Sequence, residues 1–238
     1  MSTMQLEAWD RELRGVTGSQ AVAVAFVEAP PQGVTRHQGV APSGCTFWKL
    51  AANGEPFYTD ASDHLGCAIG AYTHGVEMPP EKLQELSSLI GTMVGLSYVQ
   101  DEEVPKIPKR SAPLRYVVYA PLGQSPVAPD IVLVRGNARQ LMLISEAARA
   151  AGHLHASPAM GRPACSMIPQ GLSSGEVIVS LGCIGNRVYT DLADDQGYVA
   201  IPSRALADTM ARLQAIVAAN ETLEGFHRQR RVEASQGT

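Results

Sequence analysis

Residues 63–75 read DHLGCAIGAYTHG, and residues 180–190 read SLGCIGNRVYT. Each stretch contains a Leu-Gly-Cys tripeptide, then an Ile-Gly pair, then a tyrosine. An earlier cysteine precedes each stretch, and a Gly-Glu pair follows that cysteine at nearly the same distance, at 54–55 in one case and 175–176 in the other. Several markers that recur in one order predict an internal repeat rather than a chance match.

The similarity extends outward from these two stretches. An apolar segment precedes each early cysteine, at 21–27 and 131–134, and a proline followed by an amphipathic helix pattern comes after each late one, at 80–96 and 202–219. We therefore predict an α+β fold made of two pseudo-symmetric, internally duplicated α/β halves packed into one globular unit. By analogy with symmetric dimers, a pseudo-two-fold axis would gather equivalent residues around it.

The halves are expected to be residues 1–110, with Cys45 and Cys67, and residues 111–238, with Cys165 and Cys183. Apolar residues at helical spacing and β-branched runs bounded by Pro and Gly predict the individual elements. The predicted helices cover 3–14, 44–53, 80–96, 137–151 and 203–223, and the predicted strands cover 20–28, 115–120, 130–135 and 177–181.

Composition excludes several classes of function. The chain has 238 residues, 45% of them apolar, and a net charge of −4 without a cluster of basic residues, so we expect no nucleic-acid partner. No apolar run approaches the ~20 residues of a membrane span, and the charged N-terminus does not resemble a signal peptide. We therefore expect a cytoplasmic protein without a membrane partner. The sequence also lacks a Walker A motif, G-x-S-x-G and H-E-x-x-H.

All four cysteines of the chain, Cys45, Cys67, Cys165 and Cys183, belong to the repeat. Thiolates are soft ligands, and four of them match an iron–sulfur cluster, with [4Fe–4S] as the first expectation, or alternatively a zinc site. We thus predict a thiolate-ligated metal protein that acts in electron transfer or as a reductase of a small molecule. Its partner would be that small molecule or a redox protein. The sequence leaves open whether the chain forms a homo-oligomer.

Three further residues complete the predicted site. Gly66 and Gly182 precede the late cysteines, and glycine lets backbone N–H groups approach a sulfur or an anion closely. Arg187 follows the second glycine-rich turn, where a guanidinium could bind a carboxylate or phosphate. We expect this guanidinium to face the cavity of the thiolate site, although an ion pair with Asp191, Asp194 or Asp195 is an alternative.

Other interpretations of the cysteines remain open. No two of them form a C-x₂-C, and free cysteine is often an inert, buried small hydrophobe. Cys67 or Cys183 could be the nucleophile of a thiol enzyme, and the glycine turns with Arg187 could serve a non-catalytic binding protein for a small anion or metal. A mixed Cys/His zinc site would recruit one or more of four nearby histidines, namely His64, His74, His153 and His155.

The chain also resembles domain-of-unknown-function family 169 over about residues 22–220. The resemblance rests on DHLGCAIGAYTHG at 63–75, YVVYAPL at 116–122, PDIVLV at 129–134, GRPACSMIP at 161–169 and SLGCIGNRVYT at 180–190. It implies a cytosolic bacterial or archaeal protein with the four cysteine positions as a hallmark. It implies no particular reaction, so no catalytic residue is carried over, and the metal site is inferred from the residues alone.

Overall fold

The computed structural model describes residues 1–39, 41–156 and 163–236. These ranges form a mixed α+β fold around one seven-stranded sheet. The strands are β1 (Val22–Val27), β2 (Thr35–Arg36), β3 (Phe57–Asp60), β4 (Tyr116–Pro121), β5 (Ile131–Asn137), β6 (Ile178–Ser180) and β7 (Gln196–Pro202). The helices are α1 (Thr3–Thr17), α2 (Thr46–Asn53), α3 (Ala68–His74), α4 (Pro80–Gly95), α5 (Ala138–Ala150), α6 (Met167–Ser174), α7 (Ile184–Thr190) and α8 (Ser203–Gln236).

The strand order in the sheet is β2-β3-β4-β1-β5-β7-β6. At its centre β1 and β5 run antiparallel, with Ala23 opposite Val132. On one side β1 pairs with β4 and β4 with β3, and on the other side β5 pairs with β7 and β7 with β6, all antiparallel. Strands from the two predicted halves therefore share one continuous sheet.

Alternation along the central strands divides the core into two layers, because successive strand residues point to opposite faces. Val22, Val24, Ile131 and Leu133 pack into the layer that contains Cys45 and Cys165. The intervening positions, Ala23, Val132 and Val134, pack into the layer formed with α1, α5 and α8. We call these two sides of the sheet the cysteine face and the aliphatic face.

The aliphatic face is covered by three amphipathic helices. Leu6, Trp9 and Leu13 of α1 and Leu206 and Leu213 of α8 are buried there. α1 begins at the N-cap Ser2, whose side chain accepts a hydrogen bond from the Gln5 N–H, and it ends at a left-handed Gly18. The burial of such apolar side chains is the main source of stability on this side.

The mixed α+β class and most predicted elements are confirmed. All five predicted helices and all four predicted strands are present with shifted ends, and α8 continues to Gln236. The sequence did not predict β2, β3, β7, the helix α6 or the helices α3 and α7 that follow the late cysteines. α3 and α7 have only seven residues each, so their apolar pattern is too short to show a helical period.

The repeat was expected to relate two long helices, now α4 and α8, to each other, but they do not occupy equivalent places in the fold. α4 precedes β4 and packs against α3, whereas α8 follows β7 and packs against α5 on the aliphatic face. Only Leu86 of α4 is buried, whereas α8 contributes several residues to a core layer. The shared pattern of a proline and apolar residues at helical spacing reflects amphipathicity, which any surface helix needs.

Within the described part of the chain, no helix has both the length and the apolar character required to cross a lipid bilayer.

Candidate functional site

Every cysteine of the chain lines a single cavity on the cysteine face. The cavity has a volume of about 270 Å³. Cys45 and Cys165 are buried in its wall, and Cys67 and Cys183 are partly exposed to it. The fold thus brings together four sulfurs from chain segments up to 138 positions apart (183 minus 45).

The sulfurs reach the cavity because each cysteine stands at the start of a helix. Cys45, Cys67 and Cys183 immediately precede α2, α3 and α7. Cys165 lies in a 3₁₀ turn, Ala164–Ser166, that leads into α6. All four helix starts meet at the same cavity.

Cys45 and Cys165 are the inner pair of thiols. Burial raises the pKa of Cys45, while a hydrogen bond with the Ser43 hydroxyl and the nearby Asn186 amide oppose that rise. Burial likewise raises the pKa of Cys165 well above its usual value, and the Thr73 hydroxyl opposes it from 3.2 Å. A raised thiol pKa keeps the sulfur protonated at neutral pH unless a cation compensates the thiolate charge.

Cys67 and Cys183 are the outer pair, and both sulfurs meet backbone N–H groups. Burial raises the pKa of Cys67, and the N–H groups of Gly70 and Ile69 oppose the rise. The Cys183 sulfur accepts from the Asn186 N–H at 3.5 Å. The negative charge of the Cys183 thiolate would further raise the pKa of each of the other three thiols.

A layer of aromatic rings lies behind the cysteines. His64 stacks on His74 with ring centroids 5.7 Å apart, and it also stacks on Tyr119 at 6.2 Å. Burial lowers the pKa of His64 to about 3 and that of His74 to about 4, so both rings are neutral at physiological pH. Burial also raises the pKa of Tyr119.

Asn186 is a residue of the site that was not predicted from the sequence. Its side chain lines the cavity and is 1% exposed, and neither polar atom of the amide has a hydrogen bond of good geometry. The amide nevertheless lies close enough to Cys45 to lower the pKa of that thiol. The signal for Asn186 is that a polar side chain is buried beside a thiol. That signal could not be read from the sequence, because the burial depends on tertiary packing.

Arg187 lies elsewhere than expected. Its guanidinium donates to the carbonyl groups of Leu181 and Ala193 at 2.7 Å and to that of Gln196 at 3.2 Å. The Arg187 side chain therefore stabilises the loop that leads into β7, and it does not line the cavity. Arg187 does not face the site as expected, because its guanidinium is hydrogen-bonded to three backbone carbonyl groups outside the cavity.

The two glycines before the late cysteines have packing roles. A Cβ on Gly66 would lie 2.2 Å from the Ala41 carbonyl oxygen, and Gly182 has a φ of +79°. Neither residue lines the cavity, whereas Gly70 and Gly185 do. Gly66 and Gly182 therefore permit a close backbone approach and a left-handed turn, and the N–H donors come from residues after the cysteine.

The predicted histidine ligands are also separated from the cavity. His64 and His74 belong to the ring layer, while His153 is paired with Asp208 and His155 with Glu176. Across residues 1–39, 41–156 and 163–236, no group of three or more His, Cys, Asp or Glu side chains has the arrangement needed to hold a metal ion.

Apolar side chains surround the mouth of the cavity. Leu89 and Met93 of α4, with Tyr98 in the loop after it, line one side. Ile184 and Tyr189 of α7 line the other side, and Ile184 is 74% exposed. The described lining contains no charged side chain, so the thiols open to the surface through an apolar rim.

Fold and site together define an α+β protein with four free cysteines around one cavity on a largely antiparallel sheet. The chain belongs to the family DUF169, described as uncharacterised ArCR, which it matches over residues 17–212. The matched range includes all four cysteines. No curated protein and no solved structure has significant similarity to the chain.

Proposed function

We propose that this protein is a thiolate-ligated metal protein, with an iron–sulfur cluster held by Cys45, Cys67, Cys165 and Cys183. The observation that carries the proposal is that every cysteine lines the same cavity, although they come from four separate segments. Inert cysteines that served only as small hydrophobes would have no reason to share one surface.

The environment of the sulfurs supports a cationic centre. Each of the four sulfurs has a nearby N–H or O–H donor, an arrangement that stabilises thiolate ligands and tunes a cluster. Burial nonetheless raises the pKa of Cys45, Cys67 and Cys165, so these three thiols are neutral without a metal, and among the described residues the thiols are not drawn into a closed ligand group. Metal binding would release protons and draw the sulfurs inward.

The size of the cavity favours a cluster over a single zinc ion. Zinc with bonds of about 2.3 Å requires four sulfurs within about 3.8 Å of one another. The cavity as a whole, of which the cysteines line one part, has a volume of about 270 Å³, so it has room for a group larger than one ion. A polynuclear iron–sulfur group fills such a space better, and zinc is the alternative outcome of the test.

A redox role follows from the open, apolar mouth. The partly exposed Cys67 and Cys183 lie near that mouth, where a redox protein or a small substrate could approach the centre. We therefore propose electron transfer, or reduction of a small molecule, as the activity. Arg187 is committed to backbone carbonyl groups, which weighs against the alternative of an anion-binding protein. The raised pKa of Cys67 weighs against that thiol as a free nucleophile, whereas Cys183 stays the other candidate of the thiol-enzyme alternative.

We also propose that the two halves are related by duplication. If the boundary between the halves falls after β4 rather than at residue 110, the strand order β3-β4-β1 continues as β5-β7-β6, which is what a two-fold axis perpendicular to the sheet between β1 and β5 would produce. Such an axis leaves the faces unexchanged, so both cysteine pairs fall on one side. An experimental structure in which segments 45–74 and 165–190 do not superpose would contradict the duplication.

A reducing compartment suits this chemistry. All four cysteines are free, and cytoplasmic thiols are kept reduced and available to a metal. We propose a cytoplasmic location on this basis, and fractionation of the native host is the test.

The decisive experiment is anaerobic purification and reconstitution, followed by iron, sulfide and zinc analysis. We expect about four iron and four sulfide per chain for a [4Fe–4S] centre, with absorption in the visible range. Each Cys→Ser variant should lose most of the iron and the stability that metal binding adds.

Met93→Ala is the matched control, because Met93 lines the same cavity and carries no thiol. It should retain the iron. A wild-type protein that binds neither iron nor zinc, or cysteine variants that bind as much metal as the wild type, would overturn the proposal.

A further inference from the structure

The Thr73 hydroxyl connects α3 to a cysteine of the other half. Its oxygen lies 3.2 Å from the Cys165 sulfur, and both residues are buried. The same oxygen lies 3.0 Å from the Gly70 carbonyl oxygen and 3.1 Å from the His74 Nδ1. One hydroxyl proton therefore has three possible acceptors, and His74 Nδ1 is one of them only if that nitrogen carries no proton.

The position of the His74 proton decides between them. His74 Nδ1 lies 2.9 Å from the Gly70 carbonyl oxygen, which can only accept, so Nδ1 carries the proton of this neutral ring. That N–H donates towards both the Gly70 carbonyl and the Thr73 oxygen. His74 Nδ1 is thereby removed as an acceptor, and the Thr73 hydroxyl proton is left to be shared between the Gly70 carbonyl oxygen and the Cys165 sulfur.

The charge on Cys165 then sets the direction of the hydroxyl. A neutral thiol competes weakly with a carbonyl oxygen, but a thiolate attracts a charge-assisted hydrogen bond that is roughly twice as strong as a neutral one. The hydrogen bond to Cys165 therefore strengthens when the sulfur is a metal-bound thiolate. Hydrogen bonds to ligand sulfurs are among the features that set the reduction potential of a cluster.

We propose that Thr73, supported by His74, is a positioning residue that hydrogen-bonds the Cys165 thiolate and raises the reduction potential of the metal centre. This inference rests on the proposed function. A donor to the ligand sulfur stabilises the reduced, more negative centre more than the oxidised one, which gives the sign of the effect.

The chain provides a matched position in the second half. Thr190 also follows a tyrosine at the end of a short helix after a late cysteine, and it is 1% exposed. Its hydroxyl donates to the Asn186 carbonyl at 2.7 Å and accepts from Tyr198. Thr190 therefore shares the burial and local sequence of Thr73 without the contact to a sulfur.

The test compares reconstituted wild type with Thr73→Val, Thr73→Ser and Thr190→Val. Potentiometric titration followed by visible absorption and electron paramagnetic resonance gives the midpoint potential, and iron analysis gives the occupancy. Thr73→Val should keep the iron and shift the midpoint to more negative potential. Thr73→Ser should restore the wild-type value, and Thr190→Val should leave it unchanged.

The outcomes separate the two proposals. A wild type that takes up no iron overturns the proposed function, and this inference with it. A wild type that takes up iron, with the same midpoint potential in Thr73→Val, overturns the role of Thr73 alone. An equal shift in Thr190→Val also does so, because the effect would then belong to the packing of either helix end. If Thr73→Val cannot be loaded with iron, Thr73→Ser decides. A midpoint potential in Thr73→Ser that differs from the wild-type value, although the hydroxyl is kept, would equally reject the role of the hydroxyl.

Discussion

The two faces of the sheet are built from different chemistry. The aliphatic face consists mainly of Leu, Ile, Val and Ala side chains, which belong to the sheet and to three helices that cover it. The cysteine face contains the thiols, the ring layer and most of the buried polar atoms that lack a partner in the described residues. Those atoms belong to Trp48, His64, His74, Tyr119 and Asn186, and Thr209 of α8 is the exception on the opposite face.

This difference indicates that the two faces contribute differently to the stability and the function of the protein. Apolar burial stabilises both faces, whereas unpaired buried polar groups, which reduce stability by about 1–3 kcal/mol each, lie almost entirely on the cysteine face. Natural proteins tolerate such costs mainly at functional sites. The contrast supports the proposal that the cysteine face is the functional side, and it does so without reference to a metal.

Acid should weaken the cysteine face most. The pKa values of His64 and His74 are about 3 and about 4 in the folded protein, against about 6.5 in an unfolded chain. Above pH 6.5 both rings are neutral in both states, so they add no pH dependence. As the pH falls from 6.5 towards 4, the unfolded chain takes up the protons, and the free energy of unfolding falls by up to about 1.4 kcal/mol per pH unit for each histidine.

Urea unfolding of the metal-free protein at pH 7, 6 and 5 measures this slope. His64→Phe, which keeps a ring in the stack, should remove about half of the histidine contribution. Leu206→Ala should lower the whole curve without changing its slope, since it removes no titrating group. Equal slopes in wild type and His64→Phe would show that the buried rings do not control the acid response.

The aliphatic face should respond to a loss of volume without any effect on the site. Leu206 of α8 is fully buried, so Leu206→Ala should lower the free energy of unfolding by about 2–5 kcal/mol. Iron content per folded chain should remain at the wild-type level. Leu223→Ala, at an exposed position of the same helix, should change stability by less than about 0.5 kcal/mol. Loss of iron in Leu206→Ala would mean that the two faces are coupled.

The smallest expected effect comes from a pair of glycines on the cysteine side. Gly66→Ala puts a Cβ against the Ala41 carbonyl oxygen and should cost about 1–3 kcal/mol, with reduced iron because Cys67 moves. Gly91 of α4 has no neighbour within 4 Å, so Gly91→Ala should raise stability by up to about 1 kcal/mol and leave iron content unchanged. Thermal unfolding and iron analysis compare the two. A neutral Gly66→Ala would remove the packing role assigned to Gly66.

The elements with a clear periodicity of apolar residues, and the residues with distinctive chemistry, could be predicted from the sequence. The helix around 203–223 and the strands around 20–28 and 130–135 were predicted because their apolar patterns are long or continuous. The four cysteines were singled out because they recur within a repeat. Arg187 was misplaced, and Asn186 was overlooked, because neighbouring residues on a short helix point in different directions, and that short helix was not predicted.

By itself, the sequence determined the mixed α+β class, the family, and the presence of four free thiols in repeated surroundings. These properties are local, since they depend on residue type, spacing and periodicity along the chain. Only the tertiary structure decided that β1 and β5 lie side by side and that all four thiols open onto one cavity. It also decided that Thr73 faces a sulfur while Thr190 faces a carbonyl group. The physical reason is that these contacts join segments far apart in the chain, and strand pairing and close packing, which act through space, select them.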